Sequence, residues 1–217
     1  MVKKIIILGT GGNCIDILET INKINKIKKK YKILGFLDDD TDKVGLNFNG
    51  IKVLGALSTA KNYKNCYFVN GIGSPNNFWK KKDILKKTNL SLKNFETIIH
   101  PTAFVSKFSK IEKGVVILAN VTVASNVSIG KHTIILPNSV INHNDNIGDY
   151  VSIASGVCIA RDVTIKHNSY IGSGSTIIGN IVVAKNSLVG MGSVVLNSTQ
   201  KNSVYIGNPA RFLRNLI

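Results

Sequence analysis

Four histidines punctuate the chain, at His100, His132, His143 and His167. His143 is followed directly by Asn144 and Asp145. An imidazole is the side chain that changes charge nearest neutral pH, so it can take a proton from a reacting group. Asn144 can orient such a ring but brings no charge to an imidazolium. Asp145 brings that charge, and a buried carboxylate without a partner is costly. Either Asp145 supports His143, or the chain bulges locally and leaves Asp145 wet. His100, before Pro101, reads as a junction residue, and His132 and His167 read as surface residues.

A second constellation lies near the start. Gly9-Thr-Gly-Gly-Asn13 follows an apolar run and opens a helical pattern. The backbone N–H groups of Gly11, Gly12 and Asn13 can face a diphosphate there. A complete dinucleotide fingerprint needs a third glycine at residue 14, where this chain has Cys14. Asp38 and Asp39 come about 27 residues later and suit hydrogen bonds to a base or ribose. Gly71-Ile-Gly73 follows a further apolar run, the place where open α/β sheets bind ligands.

Two kinds of element must position these residues. Residues 1–98 alternate strands and helices: strands at 4–8, 32–37, 51–54 and 66–72, helices at 14–29 and 76–89. That alternation predicts a parallel sheet in a small Rossmann-like α/β domain. Residues 99–217 follow a different rule. From Val105 to Val195, every sixth residue is Ile or Val, sixteen positions without a slip. Small or β-branched residues mostly stand two places earlier, as at Val121, Thr133, Ser139 and Ser169. A strict six fits neither a helix nor a hairpin array. It predicts a parallel β-helix in which each hexapeptide makes one face of an 18-residue coil, with about five coils. His143, two residues after inward Ile141, falls near a coil corner and faces out.

Composition bounds the rest. At 44% hydrophobic and 18% charged, the chain can bury a core. Cys14, Cys66 and Cys158 are odd in number and unpaired in spacing, which argues against a disulfide framework or a metal site and for a reducing cytoplasm. No run approaches the ~20 apolar residues of a membrane span, and the first apolar run reads as a buried strand. The net charge of +16 is spread along the chain, densest at residues 26–32, with little aromatic interleaving. It reads as solvated surface that attracts anionic ligands, not as a nucleic-acid interface.

The repeat resembles the hexapeptide acyltransferases. The glycine-turn domain ahead of it narrows the resemblance to the sugar O- and N-acetyltransferases, which include sialic acid O-acetyltransferases and nucleotide-amino-sugar N-acetyltransferases. The motifs that carry it are Gly9-Thr-Gly-Gly-Asn13, Phe36-Leu-Asp-Asp39, Ile99-His-Pro-Thr-Ala103, Val140-Ile-Asn-His143 and Gly207-Asn-Pro-Ala-Arg211. The resemblance implies a left-handed β-helix, a homotrimer, and acetyl-CoA bound between neighbouring prisms. It implies His143 as general base, where the family usually has Asp or Glu at the position of Asn144. Ser152 stands where the family often has a thioester-contacting histidine, and Arg161 where a backbone N–H meets the acetyl oxygen. Ser173 and Met191 fall on the pantetheine track. Gly11, Gly12, Asn13, Asp38, Asp39 and Gly73 are assigned to the nucleotide sugar. The reaction implied is acetyl transfer to the amino group of a UDP- or dTDP-linked amino-deoxy sugar in bacterial glycan biosynthesis. Sialic acid O-acetylation and a non-catalytic nucleotide-sugar-binding β-helix are the alternatives. NAD-dependent oxidoreduction fits worse, since the glycine motif is incomplete.

Overall fold

The opening apolar run forms β1 (Lys3–Leu8), four of whose residues are fully buried. The computed structural model describes residues 2–216. After β1 come α1 (Gly12–Ile27), β2 (Tyr31–Leu37), β3 (Asn47–Phe48), β4 (Ile51–Gly55) and β5 (Tyr67–Asn70). The sheet order is β3-β4-β2-β1-β5, parallel except for the short hairpin partner β3. The chain moves outward from β1 through β2 to β4, then returns to the other side of β1. The switch point therefore lies between β1 and β5, where a crevice opens at the strand ends.

The helix expected at 76–89 is shorter than its charge pattern implied. A 3₁₀ turn (Phe78–Lys80) leads into α2 (Lys81–Lys86), and the helix stops where Asn89 takes a left-handed φ of 52°. Its first residue, Lys81, is buried completely.

The hexapeptide rule builds a parallel β-helix with three sheet faces of six, five and eight strands. Each two-residue strand pairs in parallel with the strand eighteen residues on, as Val140–Ile141 does with Cys158–Ile159. The first rung is Ile98–Ile99, paired with Val116–Ile117. Of the sixteen Ile and Val positions, all from Ile117 to Val195 are buried, and Val105 and Ile111 are half-buried in the first coil. Hydroxyls line the same interior: Thr133, Ser139, Ser169 and Ser175 are wholly buried and bond to the neighbouring coil.

A second six-residue period fixes the corners. Residues 120, 126, 132, 138, 144, 150, 162, 168, 180 and 186 all have φ near +60°, and seven of them are asparagine. Asparagine tolerates this left-handed conformation better than most residues. The α/β unit lies against the eight-stranded face, where Ile5, Ile7, Ile17 and Ile21 share one apolar cluster with Ile98, Val116, Leu118 and Ile134. At the far end Ser203–Ile206 and Arg211–Asn215 form an antiparallel hairpin that closes the last coil.

Candidate active site

A cavity of about 500 Å³ lies where the α/β unit meets the solenoid. One end is formed by Gly9–Asn13, Asp38 and Asp39, the side by Gly71–Ser74, and the other end by Ile134, Ser152, Ala154 and Tyr170. So the structure gathers Gly11, Gly12, Asn13, Asp38, Asp39, Gly73 and Ser152 around one space. The N-terminus of α1 points its unpaired N–H groups into this region, with no side-chain cap and no acidic residue in its first turn. A Cβ built on Gly11 or Gly12 meets no protein atom within 4 Å, so packing does not require these glycines; they leave the backbone open to the cavity. Asp38 accepts from the Thr10 hydroxyl at 2.5 Å, and Asp39 pairs with Lys87 at 2.7 Å.

Cys14 explains the incomplete glycine fingerprint. It is buried beside Gly9 and Gly71, and a Cβ on Gly71 would lie 2.4 Å from its Sγ. The close approach usually supplied by the third glycine comes here from Gly71, just after β5. Burial pushes the Cys14 thiol up to about 12, so it stays protonated and packs as a small apolar group.

His143 lies elsewhere. It is exposed on the corner between the six- and five-stranded faces, and it lines neither the large cavity nor the smaller one beside His132. Arg161 sits on the same corner one coil later, where the Asp162 N–H donates to the His143 carbonyl at 3.2 Å. Ser173 and Met191 stack on a different corner, between the eight- and six-stranded faces, with the Gly192 N–H donating to the Ser173 carbonyl at 2.8 Å. Met191 is 80% exposed.

The two residues after His143 have other partners. The Asn144 side chain accepts from Asn126 at 3.3 Å and donates to Asp162 at 3.0 Å, within the ladder of left-handed corner residues. Asp145 points into the coil interior, where its Oδ1 accepts from the Val163 N–H at 2.8 Å and its Oδ2 has no partner. Neither side chain bonds the His143 ring. Burial raises the Asp145 carboxyl from 3.8 to about 7, partly offset by the Val163 and Asn142 N–H groups.

Two further residues correct the sequence reading. His132, expected at the surface, is 5% exposed, stacked on Tyr150 at 5.2 Å and edge-on to Phe95 at 4.5 Å. Burial first, then Lys81 and Lys131, push its pKa down to about 4. Lys81 was hidden inside a lysine run that reads as a solvated face. Its Nζ lies 3.3 Å from both the Ser152 Oγ and the Val151 carbonyl, and burial lowers its pKa to about 7. His167 is exposed, as expected, and accepts from the Asp149 N–H at 2.8 Å.

Comparison with known proteins agrees with this two-part layout. Residues 4–87 match the family described as the PglD N-terminal domain, and residues 108–143 match bacterial transferase hexapeptide repeats. No curated sequence relative matches the chain. Solved structures do. The acetyltransferase domain of PglB from Neisseria gonorrhoeae FA1090, in complex with acetyl coenzyme A, has a TM-score of 0.85 at 23% identity, covering 98% of this chain and 100% of that one. PerB from Caulobacter crescentus, in complex with CoA and GDP-perosamine, has a TM-score of 0.84 at 21% identity, covering 99% of each chain. WeeI from Acinetobacter baumannii AYE reaches 0.69 at 21% identity, covering 98% of this chain and 100% of that one. The chain is therefore similar to the PglD N-terminal domain over residues 4–87 and to bacterial transferase hexapeptide repeats over residues 108–143, and it has the fold of these solved structures along nearly its whole length.

Proposed function

We propose that this protein is an acetyl-CoA-dependent N-acetyltransferase acting on the amino group of a nucleotide-linked amino-deoxy sugar in bacterial glycan assembly. The observation that carries the reading is the single cavity running from the α1 N-terminus to Ser152 on the solenoid. Its first end suits a diphosphate and ribose; its second end delivers a sugar to the wall of the β-helix. Structures with the same fold carry acetyl coenzyme A, or CoA with GDP-perosamine.

The proposed chemistry needs a base for the attacking amine and a thioester held beside it. His143 is the base. The Arg161 backbone N–H, one coil away, is placed to meet an acetyl oxygen, and Ser173 and Met191 line the track of the pantetheine arm. His143 and Arg161 share the corner opposite the eight-stranded face that carries the cavity, and Ser173 and Met191 share a corner that borders that face. A homotrimer of parallel prisms resolves the separation: the His143 corner of one copy faces the Ser173–Met191 corner and the cavity of the next. The residues 1–98 and 99–217 then act as a nucleotide-sugar holder and an acyl-transfer scaffold. Among the described residues no helix is long and apolar enough to cross a membrane. We place the enzyme in the cytoplasm, where free thiols such as Cys158 persist.

A thiol-release assay tests the reading. Acetyl-CoA is offered with UDP-, dTDP- and GDP-linked amino sugars and, separately, with free sialic acid. CoA release with an amino-sugar nucleotide and formation of an amide is the expected result. Release with sialic acid alone would replace the reading by O-acetylation. CoA binding without release to any acceptor would leave a binding β-helix.

A further inference from the structure

Acyl transfer to an amino sugar must remove two protons. Near neutral pH such an amine is largely an ammonium ion, which has no lone pair. One proton leaves before attack and a second after the carbon–nitrogen bond forms. A single imidazole at His143 accounts for the second of these, so the first needs its own acceptor.

The solenoid end of the cavity holds one. Ser152 lines the cavity and is 3% exposed. Behind it, the Lys81 Nζ is completely buried, with the Ser152 Oγ and the Val151 carbonyl, each at 3.3 Å, as its hydrogen-bond partners. Among the described residues no carboxylate pairs with Lys81. The other titratable groups packed nearby are His132, whose protonation Lys81 opposes, and the Tyr170 phenol at the cavity wall. Gly73 completes the arrangement: a Cβ there would lie 2.7 Å from the Ser152 Oγ and 3.3 Å from the Lys81 Nζ. A bare backbone at Gly73 therefore keeps the path between cavity, hydroxyl and amine clear. A buried lysine without a counter-ion favours its neutral form, which is a proton acceptor.

We propose that Lys81 and Ser152 form a proton relay that converts the bound sugar ammonium to the free amine before acyl transfer. The ammonium gives a proton to the Ser152 Oγ while the Ser152 hydroxyl proton passes to the Lys81 Nζ. The products are a neutral amine, an intact serine and a lysine ammonium. The amine then attacks the thioester carbon, the carbon–sulfur bond breaks, and the proton taken by His143 leaves with the CoA thiol. Lys81 returns its proton to water through Ser152 once the cavity empties. Lys81 acts through Ser152 and never touches the sugar. The inference rests on the N-acetyltransferase reading and assigns the step that precedes it.

Two measurements test it. The first is kcat/KM against pH for the wild-type protein, Lys81→Met and Ser152→Ala. Each variant is expected to lose about 10–100-fold at pH 7.5, with the loss shrinking toward pH 9.5, where the acceptor arrives as free amine. A loss of equal size at every pH, or none at pH 7.5, overturns the relay while leaving acetyl transfer standing. The second needs no turnover. Lysine side-chain NMR on the intact protein follows the Lys81 ε-carbon with pH, assigned by its absence in Lys81→Met. Titration near neutrality supports the relay. Titration in the ordinary lysine range overturns it, whatever acceptor the enzyme uses.

Discussion

At the scale of the residue, Asp145 and His143 separate two roles that their adjacency in sequence runs together. At the equivalent position of the two preceding hexapeptides, on the other two faces, stands a hydroxyl that both accepts and donates. Thr133 accepts from the Val151 N–H and donates to the Gly148 carbonyl; Ser139 does the same with Val157 and Ala154. An ionised Asp145 can only accept, which leaves Oδ2 unpaired. Its folded pKa of about 7 lies above the ordinary 3.8. The unfolded chain therefore ionises first, so stability falls as pH rises between about 4 and 7 and levels off above. Asp145→Ser is expected to supply a hydroxyl like those of Thr133 and Ser139 and to stabilise the protein at pH 8 by about 1–3 kcal/mol, with the gain vanishing near pH 4. Denaturant melts at the two pH values check both sign and slope. His143→Ala is expected to lower kcat about 10²–10⁴-fold while leaving thermal stability unchanged, since the ring is exposed and unbonded. Steady-state kinetics beside a thermal melt separates the two. The position of His143 at an outward coil corner was legible from its place two residues after inward Ile141. The partnership with Asn144 or Asp145 was not, because neighbours in sequence point to different sides of a coil corner. The period-six run of asparagines at 120, 126, 138, 144, 168, 180 and 186 was the available signal that Asn144 is a corner residue.

At the scale of the element, the close packing of β1, α1 and β5 depends on glycines facing Cys14. Gly71→Ala is expected to destabilise the protein by about 1–3 kcal/mol, because the new Cβ would sit 2.4 Å from Sγ. Cys14→Ala in the same chain should recover much of that loss, and a double-mutant thermal series measures the recovery. If Gly71→Ala costs nothing, the glycines serve the cavity rather than the packing. The solenoid was legible in sequence because a buried aliphatic at every sixth residue has one geometric meaning. The helix at α2 was legible only in part. Five of the seven residues from Lys80 to Lys86 are charged and read as a water-facing surface, yet Lys81 turns inward against the solenoid. Nothing in a local pattern distinguishes one buried lysine from exposed neighbours; the other wall of its environment lies 70 residues away, at Val151.

At the scale of the whole molecule, the two proposed functional regions face different ways. The cavity opens on the eight-stranded face, against which the α/β unit packs, whereas His143 projects from the corner between the other two faces. One copy cannot bring its own His143 to its own cavity, and the account requires a neighbour to supply it. Subunit mixing is the most direct measurement of that claim. His143→Ala removes the proposed base but keeps the cavity; Asp38→Ala with Gly11→Val damages the cavity but keeps the proposed base. Each variant alone is expected to be nearly inactive in acetyl transfer to an amino-sugar nucleotide. Assembled together from the unfolded chains, they should regain a substantial fraction of wild-type activity, because some seams then join an intact cavity to an intact His143. Mixed assemblies that form but remain as inactive as either parent would contradict the account.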